Sequence, residues 1–190
     1  MLLPIAIVVV SVAGTVGWMA WSLRRYRRKY RGIPRTPIGS LVAGSRVRVI
    51  GIARKLDGDV GGIFTGTPCL ASHGWISGGS DAGLSDPADR VVPFRVEDDT
   101  GSILVSIAHV KLELAGSRVD LASSKAFGSS IIAREGNAAG GGLTYWEDRL
   151  DADSRVAVIG YVVRDDKGAL VLAGRDNDPL VIANVVVAFA

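Results

Sequence analysis

The chain has 190 residues, 48% hydrophobic and 22% charged, enough for one packed domain with an added segment. Its net charge of +3 is unevenly spread: residues 1–32 hold six basic and no acidic side chains, and residues 33–190 hold 16 basic against 19 acidic. This excludes a globally basic nucleic-acid-binding domain, and one cysteine with two histidines excludes an intrachain disulfide and a two-zinc cross-brace.

Residues 2–23, LLPIAIVVVSVAGTVGWMAWSL, carry no charge over 22 positions. At about 1.5 Å per residue a helix of that length crosses a hydrocarbon core of ~30 Å. Trp18 and Trp21 stand near one end, where indoles favour the headgroup boundary. The run RRYRRKYR (24–31) follows directly. A cleaved signal peptide places its basic residues before the apolar run and small residues after it; here the order is reversed and the end is bulky. The expectation is an uncleaved single-pass anchor over 1–23, with the N-terminus outside and 24–190 cytoplasmic. The basic run then serves mainly as a topology signal and touches anionic lipid.

Residues 24–40 read as a basic juxtamembrane segment and linker, the last part being GIPRTPIGS (32–40). Residues 41–190 read as one β domain. Candidate strands are 46–53, 93–97, 102–108, 155–163, 169–173 and a final run within 179–190. Twelve uncharged residues, PLVIANVVVAFA, are too few to span a bilayer. Residues 71–92 look like a long surface loop, and 115–142 like a weak helix or strand joined to the connector Gly140-Gly141-Gly142.

Residues 45–51 read SRVRVIG and residues 154–160 read SRVAVIG, identical at six of seven positions. The match fades immediately afterwards, so it predicts two strands in similar surroundings rather than a duplication. In each, Gly51 or Gly160 stands where a strand bends sharply or another backbone passes close. Glycine-kinked, strongly bent strands suit a small closed barrel.

The triplet Glu97-Asp98-Asp99 invites a catalytic or metal-binding reading. Its flanks argue otherwise. Phe94 and Val96 share one strand face, and Ile103, Val105 and Ile107 one face of the next, with Asp98-Asp99-Thr100-Gly101 between them. This is a hairpin tip, where Asp98→Asn is expected to cost little. A calcium loop needs more oxygen ligands at regular spacing. Gly61-Gly62, Gly78-Gly79 and Gly140-Gly141-Gly142 lack the lysine of a phosphate loop. Cys69 and His73 lie close in sequence, but no third group is supplied to make them nucleophile and base. His109 reads as an ordinary histidine. Tyr145-Trp146 reads as a packing anchor or interaction surface.

The segments IGSLVAGSRVRVIGIARK (38–55), TPCL (67–70), PFRVEDDTGSILVS (93–106) and 143–184 together resemble the GIDE domain, also called the BAM or "beside a membrane" domain. That domain lies between the membrane helices of mulan-type ubiquitin and SUMO ligases, and shorter prokaryotic relatives carry it. The ligases place transfer activity in a RING of clustered Cys and His. With one cysteine in 1–190, the resemblance implies a related module without that activity. The strand grammar also resembles OB-like barrels, some of which bind nucleic acid; the slightly acidic domain, with few aromatics, speaks against that ligand.

The expectation is therefore a mainly β protein, with an N-terminal transmembrane helix followed by a small OB-like barrel with long loops. It functions as a membrane-anchored, non-catalytic interaction module. No catalytic, cofactor-binding or metal-ligating residues and no cofactor are assigned. Its partners are membrane lipid and an unidentified protein.

Overall fold

A computed structural model describes residues 30, 32–77, 88–114, 116–119 and 144–184. These residues are mainly strand and loop, with a 3₁₀ turn at Ile38–Ser40. In chain order the strands are β1 (Arg46–Lys55), β2 (Val60–Gly61), β3 (Pro68–Cys69), β4 (Ala71–Ser77), β5 (Ala88–Val91), β6 (Phe94–Asp98) and β7 (Gly101–Val105). They continue with β8 (Val110–Leu112), β9 (Gly116–Val119), β10 (Thr144–Leu150), β11 (Arg155–Arg164), β12 (Leu170–Ala173) and β13 (Leu180–Ala183).

Five strands close into a barrel. β1 pairs antiparallel with β6, and β6 with β7. β7 runs parallel to β12, β12 antiparallel to β11, and β11 antiparallel to β1. Alternation supplies the interior. Val47, Val49, Phe94, Val96, Ile103, Val105, Val156, Val158 and Leu172 all belong to one buried cluster.

The two similar heptads prove to be neighbours. Val49 pairs with Val158, its own counterpart, and Val47 pairs with Gly160, so a local two-fold relates the strands. Both glycines sit at close approaches, as their strand positions predict. A Cβ on Gly51 would run into the Glu97 carbonyl, and one on Gly160 would lie 2.9 Å from the Ala173 oxygen.

β11 is buried on both faces, which explains its nearly continuous apolar run. Val156 and Val158 face the barrel core. Ala157 and Ile159 form a second cluster with Tyr30, Ile33, Ile50, Val181 and Ala183. β13 covers this side by pairing with Ala157–Ile159 and with β8. The segment before β1 packs here too. Thr36 N donates to Arg48 O, Arg48 N donates to Pro34 O, and the Tyr30 hydroxyl donates to Glu113.

Residues 71–92, expected as a surface loop, are a correction: 71–77 and 88–91 are strands of a second, antiparallel sheet ordered β5-β4-β10-β9. The small residues misled. Ser72 and Gly74 are small because a covering loop packs on them: Ser72 Oγ accepts from Ile63 N, and a Cβ on Gly74 would lie 2.9 Å from the Phe64 ring. In the connector, 116–119 is β9; residues 120–143 lie outside the described residues. Ile107, expected to continue the inward face of β7, lies beyond the strand's end and is exposed.

Among the described residues no helix is long and apolar enough to cross a membrane. The expected anchor, 1–23, lies outside the described residues, as does 185–190.

Candidate functional site

The hairpin tip forms as the sequence predicts, with Asp98 opposite Gly101. Asp98 does more than turn the chain. Its Oδ1 accepts from Thr100 N, Thr100 Oγ1 and Gly101 N, and its Oδ2 accepts from Ile38 N at 3.0 Å. Partial burial opposes the charged form, but these hydrogen bonds outweigh it and hold the carboxyl below its ordinary range. Gly39 N adds a bond to Thr100 Oγ1, so the tip clamps the segment leading into β1. A cleft of about 230 Å³ lies between Arg35–Pro37 and Asp98–Thr100, over Ile50.

The second sheet carries the denser polar chemistry. Antiparallel pairing places Asp148 opposite His73, Trp146 opposite Trp75 and Glu147 opposite Gly74. Adjacent strand residues point to opposite faces, so Glu147 and Asp148 address different surroundings. Both are buried, at 4% exposure.

Glu147 faces the loop between β2 and β3. Its Oε2 accepts from Phe64 N at 2.6 Å and Thr65 N at 3.0 Å, and its Oε1 accepts from Thr65 Oγ1 at 2.7 Å. Arg149 Nη1 lies 3.8 Å away and also donates to Thr65 Oγ1. Phe64 meets Tyr145 edge-on at 5.4 Å. Glu147 is thus a structural post for that loop.

Asp148 shares its face with His73, Trp75 and Trp146. Among the described residues its Oδ1 has no hydrogen-bond partner. Burial raises its pKa to about 6; nearby His73 works against the shift and Glu147 adds to it. His73 Nδ1 pairs with Asp89 Oδ1 at 2.5 Å. The His73 ring lies 5.4 Å from Trp75, which stacks on Trp146 with centroids 5.8 Å apart and planes 4° from parallel. Both indoles are half-buried.

The imagined pair of Cys69 and His73 does not assemble as nucleophile and base. Cys69 is buried, and its Sγ donates weakly to Val60 O. Burial pushes its thiol up to about 11, against the opposing effect of Arg149. His73 is engaged with Asp89 on the neighbouring strand. His109 lies 3.1 Å from Asp176 in an exposed turn. Among the described residues no group of three or more His, Cys, Asp or Glu is placed to hold a metal ion.

Sequence reasoning placed Tyr145-Trp146 at an interaction or packing surface, and the structure puts Tyr145 in the packing and Trp146 beside Asp148. It did not single out Glu147, Asp148 or Asp89. One signal was present: two adjacent carboxylates in a strand bordered by Tyr-Trp and Leu must face opposite sides, so at least one heads toward a covered surface.

Fold and site together define a small closed β-barrel protein with an appended antiparallel sheet. Residues 79–187 match the family model GIDE, described as E3 ubiquitin ligase, and the chain belongs to this family. No curated protein and no solved structure matches it.

Proposed function

We propose that the chain is a membrane-tethered, non-catalytic binding module that organises a protein partner at the cytoplasmic face of a cell membrane. In this reading the barrel is of the OB type. Its strand order, first-second-third-fifth-fourth and back to the first with a parallel third–fifth contact, supports that assignment. Residues 2–23 form the single-pass anchor, the basic run 24–31 rests on anionic lipid, and 24–190 is cytoplasmic.

The observation that carries the reading is the outer barrel cluster. Tyr30 is the next-to-last residue of the basic run and Ala183 lies in the final apolar run, and both are buried in one patch with Ile33, Ile50, Ala157, Ile159 and Val181. The described ends of the two flanking segments therefore meet on one side of the barrel. In this reading a tether joined on that side turns the opposite face of the barrel toward the partner. The sequence 1–190 holds one cysteine and two histidines, too few for the cross-braced zinc site of a RING.

The test uses the full chain in membranes. Cysteines introduced at 2 and 190 on a Cys69→Ala background report topology; labelling of position 190 from outside refutes the cytoplasmic placement. Photo-crosslinkers on the appended sheet should capture a protein neighbour. A second reading, a ligase-related activity, is favoured only by the family's description. Robust E2-dependent transfer by the full chain in nanodiscs establishes it over the first.

A further inference from the structure

The cleft between the leading segment and the hairpin tip is open to solvent and carries opposite charges on its two walls. Arg35 stands on one wall, Asp98, Asp99 and Thr100 stand on the other, and Ile50 lies at the floor. Its volume, about 230 Å³, is below the ~300–1,000 Å³ of ordinary small-molecule pockets, so it suits a compact group and not a nucleotide or a large cofactor.

The polar groups divide into those already used and those still free. Asp98 accepts four hydrogen bonds, and Thr100 Oγ1 donates to Asp98 and accepts from Gly39 N. The bonds from Ile38 and Gly39 fix the spacing of the two walls. Arg35 and Asp99 are exposed, and among the described residues neither side chain has a hydrogen bond or an ion pair, with each other or with any third group. A ligand that spans the cleft therefore presents an anion to Arg35, an N–H-bearing cation to Asp99 and a short link to the Ile50 floor. A guanidinium takes phosphate oxygens two at a time, and a primary ammonium donates to a carboxylate. Phosphoethanolamine has these parts in that order. A free amino acid carries both charges on one carbon and has no link to lay along the floor.

The position of the cleft says where that chemistry comes from. Ile50 belongs to the patch that buries Tyr30, the next-to-last residue of the basic run. Arg35 follows Tyr30 by five residues, at most about 18 Å of chain. We infer that the cleft binds the phosphoethanolamine headgroup of a bilayer lipid, the phosphate on Arg35 and the ammonium on Asp99. The inference rests on the reading of the chain as membrane-tethered and names a lipid that the tethered domain recognises.

The experiment reads amide hydrogen exchange of the full chain in three nanodiscs: phosphatidylcholine alone, and equal mixtures of it with phosphatidylethanolamine or phosphatidylglycerol. The choline headgroup has no N–H to donate, and the glycerol headgroup has no ammonium. The amides of Thr36, Ile38, Gly39, Thr100 and Gly101, which brace the two walls, are the reporters. Their exchange should slow about fivefold with phosphatidylethanolamine, as for a ligand at several times its Kd, and stay unchanged in the other two nanodiscs. Arg35→Gln and Asp99→Asn should each abolish the slowing and keep wild-type thermal unfolding, because both replace exposed side chains without partners. Asp166→Asn, on an exposed turn between β11 and β12, should respond as wild type does.

Equal slowing in all three nanodiscs, or slowing that survives Asp99→Asn, overturns the inference. So does slowing by phosphatidylglycerol in place of phosphatidylethanolamine, which is charge attraction alone. Slowing by soluble glycerophosphoethanolamine but not by the lipid overturns the bilayer as the source. A chain that enters the nanodiscs and shows no lipid-dependent slowing loses the headgroup inference and keeps its tether. A chain that does not enter them loses the tethered reading, and the lipid source falls with it.

Discussion

Glu147 and Asp148 are neighbours in β10, buried to the same degree, and opposite in condition. Glu147 accepts three hydrogen bonds from Phe64 and Thr65, and Asp148 Oδ1 accepts none among the described residues. The alternation of a strand separates them: one side chain enters a loop that donates to it, the other a face of indoles and imidazole. Their neutral substitutions should therefore move stability in opposite directions.

Glu147→Gln keeps the shape and turns one acceptor into a donor aimed at groups that themselves donate. Losing charge-assisted bonds in a buried site costs about 2–4 kcal/mol. Denaturant unfolding of the full chain in micelles measures the loss. A change under about 0.5 kcal/mol, the range typical of surface substitutions, removes Glu147 from its role as the loop's post.

Asp148→Asn should stabilise the protein at neutral pH. The folded-state pKa of Asp148, about 6, lies above the ordinary aspartate value of about 4. A raised acid pKa means that the ionised form is penalised in the folded state. The penalty is complete above pH 6 and is relieved as pH falls from 6 toward 4, because the native state then binds the proton first. Its size is on the order of 2–3 kcal/mol. Melting curves at pH 8 and pH 5 should show the variant's advantage at pH 8 shrinking at pH 5. An advantage of the same size at both values contradicts the assignment.

The Asp98 carboxylate has the opposite sign. Its pKa is held below the ordinary value by bonds from Thr100, Ile38 and Gly101, which outweigh the effect of burial. The stability it contributes is present above about pH 4 and is lost as pH falls through the lower folded-state value. The sequence led to the expectation that Asp98→Asn would cost little. The bond from Ile38 N changes that, since an asparagine that keeps its oxygen on the turn presents its amide nitrogen to another donor. The expected cost at pH 7 is about 1–2 kcal/mol, read by thermal unfolding, with amide exchange at Ile38 and Gly39 accelerating. Unchanged exchange there means that the clamp on the leading segment does not depend on the carboxylate.

Cys69 gives a chemical check on the interior. A thiol raised to about 11 and buried should resist alkylation in the native protein at pH 7.5 and react fully after denaturation. Rapid labelling of the folded full chain with N-ethylmaleimide would show Cys69 to be an exposed, activated thiol instead.

The barrel strands were legible because their signal is local. Valines alternate in RVRVIG and RVAVIG, and EDDTG joins two apolar strands. The appended sheet was hidden because its determinants are non-local. Ser72 and Gly74 look like loop residues until the Ile63–Phe64 segment is seen to pack on them. The candidate site was hidden for the same reason: Asp89, His73 and Asp148 come from three strands separated by up to 75 positions, and only cross-strand register brings them together. The role of Asp98 escaped because Ile38, its fourth donor, lies 60 positions away.

The paired heptads lead to a graded prediction. Gly51 and Gly160 occupy the same place in each copy, but their neighbours differ. A methyl group on Gly51 meets the Glu97 backbone and the Val96 side chain, in a β1–β6 crossing that cannot shift without breaking the ladder. One on Gly160 meets the Leu180 side chain at 2.8 Å and the Ala173 oxygen at 2.9 Å, where Leu180 can give way only into a filled core. Gly51→Ala should therefore cost ~3 kcal/mol or abolish folding, and Gly160→Ala about 1–3 kcal/mol, the ordinary range for overpacking. Circular dichroism and thermal unfolding of both variants decide the order. If Gly51→Ala proves the milder, the close crossing of β1 and β6 is not the constraint that fixes glycine at that position.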